Sequence, residues 1–246
     1  MDINQRLIVS AQDDNLTAIK ECFHCGAEID AKNDFGRTAL MYASMKGDND
    51  IIKYLIAQGA DVNAKDNSGY TPLILATRHW HQLEHIESVK FLIDNGADVN
   101  MRDNDNDSPL MFATYKNYIE IAKLLIENGA DVNAKNNYNE TALNESARSG
   151  YLELTKLLIA KGAEVNPRNY DGNYFTPLID ATSNNQTKIA KLFIEKGADT
   201  KAQYKDGRTF LDFADNKCKQ QLKKFISQAK NKEKTLNKKA NFEIGM

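Results

Sequence analysis

Apolar and polar positions alternate along this chain in blocks that return every few dozen residues, and the segment 33–65 shows the block in full. Asn33-Asp34-Phe35-Gly36 is polar and glycine-ended, which reads as a tight turn because glycine tolerates positive φ. Thr38 follows, with a hydroxyl able to cap a helix, and an apolar run predicts a short helix from Leu40 to about Met45, ending near Gly47. Ile51, Ile52, Leu55 and Ile56 then fall on one face of a second helix, Asn49 to Gln58. Gly59 is placed to end that helix in the left-handed conformation. Ala60 to Lys65 extends into the next turn. At Thr71-Pro72, Ser108-Pro109 and Thr176-Pro177 the cap is followed by proline, which the first helical position tolerates best.

The block repeats. Gly-Ala-Asp-Val-Asn stands at Gly59–Asn63, Gly96–Asn100 and Gly129–Asn133, with variants at Gly26–Asp30, Gly162–Asn166 and Gly197–Lys201. Successive glycines are 33, 37, 33, 33 and 35 residues apart. Aligned on them, the chain divides into units 1–32, 33–65, 66–102, 103–135, 136–168, 169–203 and 204–227, one repeat domain over 1–227, followed by a Lys/Asn-rich tail over 228–246. No such unit buries its apolar stripe alone, so neighbours must stack into one continuous core. Leu40, Leu73, Leu110, Leu143, Leu178 and Leu211 are expected to form one buried row. The pairs Leu55/Ile56, Leu92/Ile93, Leu125/Ile126, Leu158/Ile159 and Phe193/Ile194 are expected to form another. The end units are atypical, as caps must be: the first carries Cys22 and Phe23 in place of the aliphatic pair, and the last leads into a Lys/Gln-rich helix.

The pattern D-x-x-G-x-T-P-L-x-x-A … G-A-D-V-N-A resembles the ankyrin repeat and covers essentially residues 1–227. The resemblance implies an all-α repeat solenoid of stacked helix-turn-helix units with β-hairpin loops. It also implies binding of proteins through the hairpin tips and the inner face of the first helices. One departure is consistent. The histidine usual after T-P-L is replaced by Met41, Ile74, Met111, Asn144, Ile179 and Asp212, so the family's Thr–His hydrogen bond is missing.

Charge narrows the class of partner. The net charge is −2, but 228–246 holds five lysines against Glu233 and Glu243, leaving 27 basic and 32 acidic residues before it. A mildly acidic body lacks the dominant basic face of a nucleic-acid protein. No apolar run approaches the ~18 residues of a membrane span. The opening Met1-Asp2-Ile3-Asn4-Gln5-Arg6 has neither the basic region nor the apolar stretch of a signal peptide, so a cytoplasmic location is expected. Three cysteines also suit a reducing compartment better than a disulfide framework.

Candidate chemistry is sparse. Cys22 and Cys25 make a C-x-x-C, but zinc needs two more ligands and no second pair exists; Cys22 falls on a core position and Cys25 on a surface one. The third unit is longer than its neighbours, and the excess falls in 78–85, with Trp80, His79, His81 and His85. Histidines four apart share a helix face, so metal or small-molecule binding there is one reading. A helix lengthened by a turn is the plainer one, and a partner contact through Trp80 is the third. Elsewhere, aromatics and arginines occupy positions that the scaffold leaves open: Phe35, Arg37, Tyr70, Arg78, Tyr115, Tyr138, Arg148, Tyr170, Tyr174 and Phe175. Such residues dominate binding hot spots, although each ring could instead pack on a neighbouring finger. Asn63, Asn100, Asn133 and Asn166 keep the period and read as structural turn residues.

No P-loop, G-x-S-x-G or H-E-x-x-H is present. The expectation is a monomeric, non-catalytic, cofactor-free module that binds a protein partner, with no nucleic acid and no membrane insertion. An inhibitory or scaffolding partner of a separately encoded enzyme is the neighbouring alternative.

Overall fold

Hydroxyl caps start the first helix of four of the pairs, and the Asp2 carboxylate starts that of the first pair. Thr38, Thr71, Ser108 and Thr176 accept hydrogen bonds from the amides of Met41, Ile74, Met111 and Ile179 at 3.3, 3.2, 3.3 and 3.3 Å, satisfying donors that the helix itself leaves orphaned. The computed structural model describes residues 1–78, 82–167, 176–204 and 206–244, without side chains at 82–85, 230 and 232–244. Its helices are α1 (Ile3–Gln12), α2 (Leu16–His24), α3 (Ala39–Lys46), α4 (Asn49–Ala57), α5 (Pro72–Arg78), α6 (Gln82–Asp94), α7 (Pro109–Tyr115) and α8 (Ile119–Glu127). They continue as α9 (Ala142–Ser149), α10 (Leu152–Ala160), α11 (Pro177–Ser183), α12 (Thr187–Glu195), a 3-10 turn (Phe210–Asp212) and α13 (Asn216–Ile244). This is an all-α repeat solenoid. The last helix runs without a break across residue 228, where the basic segment begins.

The chain forms two compact units, Met1–Ala142 and Leu143–Met246. Within the first, α1, α3, α5 and α7 pack in sequence, and α4, α6 and α8 form a second layer behind them. Within the second, α10, α12 and α13 pack in sequence, and α11 lies against α12 and the 3-10 turn. The described loops between helix pairs close on two backbone bonds each, as where Asn33 N–H meets the Arg37 carbonyl at 3.1 Å and Gly36 N–H meets that of Asn33 at 2.8 Å, or Asp66 N–H meets that of Tyr70 at 3.0 Å and Gly69 N–H that of Asp66 at 2.9 Å. Among the described residues the single β-bridge is Gln203 with Thr209.

Leu40, Leu73 and Leu110 are buried in the first unit, and Leu143 and Leu178 in the second. Leu211 is not; it is half-buried, and Phe210 is the core residue instead. The cause is the three-residue 3-10 turn, whose tighter winding brings a different side chain inward. The second row also needs correction. Leu55, Leu92, Leu125, Leu158 and Phe193 are fully buried, but the isoleucine after each is only half-buried, because successive helical residues point 100° apart.

The absent T-P-L-H histidine is compensated at two places. The Thr38 amide donates to Met41 Sδ at 3.4 Å, so the methionine closes the capping box. In the last unit the Thr209 amide and hydroxyl both donate to Asp212 Oδ2 at 2.9 Å. Those bonds, with Lys219 at 3.1 Å, hold the Asp212 carboxyl down at about 2.

The periodic asparagines clamp one repeat to the next. Asn63 Nδ2 donates to the Gly96 carbonyl at 2.9 Å, while its Oδ1 accepts from the Asp98 amide at 2.9 Å. Asn100 does the same with Gly129 and Asp131 at 3.0 and 2.8 Å, and Asn166 with Gly197 and Asp199 at 3.0 and 2.8 Å. A second ladder joins the fingertips: the amides of Asn67, Asn104 and Asn137 donate to the carbonyls of Phe35, Ser68 and Asp105 at 3.0, 3.0 and 2.9 Å. Gly36, at φ +74°, permits this approach, since a Cβ there would lie 2.9 Å from the Asn67 nitrogen. Asn100→Ala removes both side-chain bonds of one clamp and is expected to cost the first unit about 2 kcal/mol, read as a lower urea midpoint at unchanged slope. An unchanged midpoint would show the clamp to be replaceable by water.

Candidate functional site: an aromatic and guanidinium face

Residues three apart on a helix share a face, and the first helices of the initial unit present one such pair each. These are Tyr42 and Met45 on α3, Leu75 and Arg78 on α5, and Phe112 and Tyr115 on α7. Stacking the helices turns the pairs into two parallel rows, and the fingers lay Arg37 and Tyr70 against them.

The rows are knitted together. Tyr70 meets Phe112 edge-on at 5.9 Å between ring centroids, and Phe112 meets Tyr115 likewise at 5.9 Å. The Arg78 guanidinium lies 4.7 Å from the Tyr70 ring and 5.9 Å from that of Phe112. Arg37 lies 5.8 Å from the Tyr42 ring and donates to Met45 Sδ at 3.7 Å and, through Nε, to Asp66 Oδ2 at 3.1 Å. Asn33 Nδ2 donates to the Tyr42 hydroxyl at 2.9 Å, and the Tyr115 hydroxyl donates to Asp107 Oδ1 at 3.0 Å. Met45 and Tyr70 also pack on the buried cluster of Met41, Ala64 and Leu75. Arg37, Tyr42, Met45, Tyr70, Arg78 and Tyr115 are all half-buried, so each is held by a neighbour and still offers part of itself to solvent.

The residues singled out from the sequence therefore separate into groups. Arg37, Tyr70, Arg78 and Tyr115 converge on this face, and both readings hold for them at once, since they pack and remain accessible. Phe35 and Tyr138 stand apart at fingertips, 67% and 72% exposed. Arg148 belongs to the second unit, where it pairs with Glu145 at 3.3 Å and Asp180 at 3.6 Å. Trp80, Tyr170, Tyr174 and Phe175 lie outside the described residues, as do the side chains of His79, His81 and His85. Sequence reasoning missed Tyr42, Met45, Leu75 and Phe112, although the repeat spacing that aligns Arg78 with Tyr115 aligns these as well.

Charge at the finger bases is uneven. Asp66, Asp103 and Asn136 occupy equivalent places, and each uses its Oδ1 to bind the amides two and four residues on: 2.9 and 2.9 Å, 3.0 and 2.8 Å, and 3.0 and 3.1 Å. Asp66 has Arg37 as counter-ion. At the place of Arg37 the next finger holds Tyr70, and Asp103 has no cation partner among the described residues. Burial therefore raises the Asp103 carboxyl above 3.8, and the nearby Asp107 charge adds to the rise. A folded value above the unfolded one means that stability falls as pH rises through that interval. Asp103→Asn keeps the turn, as Asn136 demonstrates, and is expected to be neutral at pH 3.5 and stabilising at pH 7. Asp66→Asn loses a charge-assisted bond and is expected to cost about 1 to 2 kcal/mol at pH 7. Urea midpoints of both variants at the two pH values test this, and equal responses would refute it.

A cavity of about 300 Å³ is lined by Ile86 and by Asn117 to Ile121, none of them from the aromatic face. Among the described residues, no group of three or more His, Cys, Asp or Glu is placed to hold a metal ion, and no helix is long and apolar enough to cross a membrane. Cys22 is buried and Cys25 exposed, one core thiol and one surface thiol.

Paired helices, glycine-stopped and clamped finger to finger, define a stacked helix-pair repeat protein. The family model "Ankyrin repeats (3 copies)" matches residues 7–103 and 82–169, and "Ankyrin repeats (many copies)" matches 147–194. The chain belongs to the ankyrin-repeat family. No curated protein matches it. Ankyrin repeats are in general protein–protein interaction modules and generally non-catalytic.

Proposed function

We propose that this protein binds a partner protein through the inner-helix face of its first unit, with Met45, Tyr70, Arg78 and Tyr115 at the centre and the tips Phe35 and Tyr138 at the margin. The observation that carries the reading is the half-exposed lattice of rings and guanidinium groups across α3, α5 and α7. Its side chains are already held by their neighbours, so little rotamer entropy is lost on association. Tyr and Arg are also the residue types that anchor interfaces. In this reading the seven repeat units and the basic tail serve presentation alone. The chain acts as a cytoplasmic monomer without cofactor or catalytic group, as an adaptor or scaffold, and Arg148 is a contact residue of the second unit in its own right.

Affinity capture from the native source tests the reading. The wild type is compared with a Met45→Ala/Tyr115→Ala variant and with a Phe35→Ser/Tyr138→Ser variant, each checked for an unchanged circular-dichroism spectrum. A partner held by the wild type and lost by the first variant supports it. A partner kept by both variants moves the contact off this face.

A further inference from the structure

Six arginines lie within the described residues, and five of them face a carboxylate: Arg6 with Glu21 at 2.8 Å, Arg37 with Asp66 at 3.1 Å, Arg102 with Asp131 at 3.9 Å, Arg148 with Glu145 at 3.3 Å and Arg208 with Asp206 at 2.7 Å. Arg78 is the exception. Among the described residues no carboxylate lies within ion-pair distance of its guanidinium, and no acceptor takes any of its N–H groups. Its guanidinium lies against two ring faces, Tyr70 at 4.7 Å and Phe112 at 5.9 Å.

The arrangement has a chemical consequence. A guanidinium lying against rings is restrained through its flat faces, whereas its five N–H donors point outward in its own plane. That in-plane fork is the part that matches a carboxylate, two parallel bonds to two oxygens. The surroundings favour such a bond further. Met45, Leu75, Tyr70 and Phe112 make the floor apolar, which strengthens charge pairing relative to open water. The Tyr115 hydroxyl, on α7, is already committed to Asp107. Among the described residues, Arg78 is thus the one arginine held in place on the inner face with its in-plane edge unpaired.

We infer that Arg78 is the receptor for a carboxylate of the partner, and that the partner docks as a linear acidic segment whose Asp or Glu side chain meets the Arg78 fork over the Tyr70 and Phe112 rings. This rests on the inner-face reading above and specifies the chemistry it recognises.

The test is selection of random linear peptides on the whole protein, followed by affinity measurements on an enriched peptide by fluorescence anisotropy. Enriched peptides are expected to share an Asp or Glu. Arg78→Met, and replacement of that acid by its amide, are each expected to weaken binding about ten-fold or more, and the two together no more than either alone, the mark of a direct pair. Arg78→Lys keeps the charge but not the planar fork and is expected to recover only part of the loss. Urea midpoints of both variants separate a lost contact from a lost fold. If the enriched peptides lack an acid yet are released by Tyr115→Ala, the carboxylate assignment falls and the inner-face reading stands. If they bind regardless of both Arg78→Met and Tyr115→Ala, both fall. An empty selection also overturns the assignment, because a preformed receptor for a linear acidic segment must draw one from a random pool.

Discussion

Leu125→Gly is expected to lower the stability of the first unit by about 3 to 6 kcal/mol, the largest effect of any single change considered. Leu125 is fully buried in the middle of α8, which packs against α7 and α6. Truncating a buried leucine to alanine costs about 2 to 5 kcal/mol in lost burial and cavity formation. Going on to glycine adds roughly 1 kcal/mol of backbone entropy in a helix interior. In a stacked array stability is the sum of unit and neighbour terms, so the loss should be local before it is global. Hydrogen exchange should show α7 and α8 opening at low denaturant while α1 to α4 keep their protection. A variant that melts as the parent does would mean that α8 is not part of the shared core. Uniform loss of protection across α1 to α8 would instead mean that the first unit folds as a single cooperative block.

The scaffold is legible in the sequence because its devices are local. A hydroxyl followed by proline, a glycine after an apolar face and an apolar period of 3.6 each act within a few residues, and they place Thr38, Gly47, Gly59 and the buried Leu40, Leu73, Leu110, Leu143 and Leu178 correctly. What stays hidden depends on partners far apart in the sequence, 29 and 31 residues in the case of Asn100. Nothing local to Asn100 says that its amide bonds to Gly129 and Asp131, and nothing in the third finger says that replacing an arginine by Tyr70 leaves Asp103 without a counter-ion among the described residues. The last unit misled for a different reason. Leu211 keeps the sequence pattern, but three residues of 3-10 winding cannot hold the phase of an α-helix. The aromatic and guanidinium face lies between these cases. Its residue types could be read, whereas the mutual stacking that makes Tyr70, Arg78 and Phe112 one surface follows only from the stack.

The second unit carries the other large expectation. Where the first unit places Leu75 and Phe112, the second places Asp180, which is 3% exposed, and where its neighbours have Ile74, Met111 and Ile179 it has buried Asn144. Asn144 Nδ2 donates to Asp180 Oδ2 at 2.7 Å, and Arg148 pairs with Asp180 at 3.6 Å while bonding Glu145. Asp180→Ala removes the shared acceptor and is expected to cost about 2 to 4 kcal/mol, since a buried network broken at one member leaves the others uncompensated. Replacing both halves is a different matter. Asn144→Ile with Asp180→Leu copies the apolar pair that other repeats use at the same places, and buried polar networks exchanged for well-packed apolar groups are often neutral or stabilising. The double variant is therefore expected to melt at or above the parent, as thermal and urea unfolding would show, and a double variant as unstable as Asp180→Ala would make the network structurally indispensable. If stability is kept, the same variant becomes a probe of recognition. Arg148 then loses its buried counter-ion without loss of fold, and a change in partner affinity would assign the charged inner face of the second unit to binding rather than to packing.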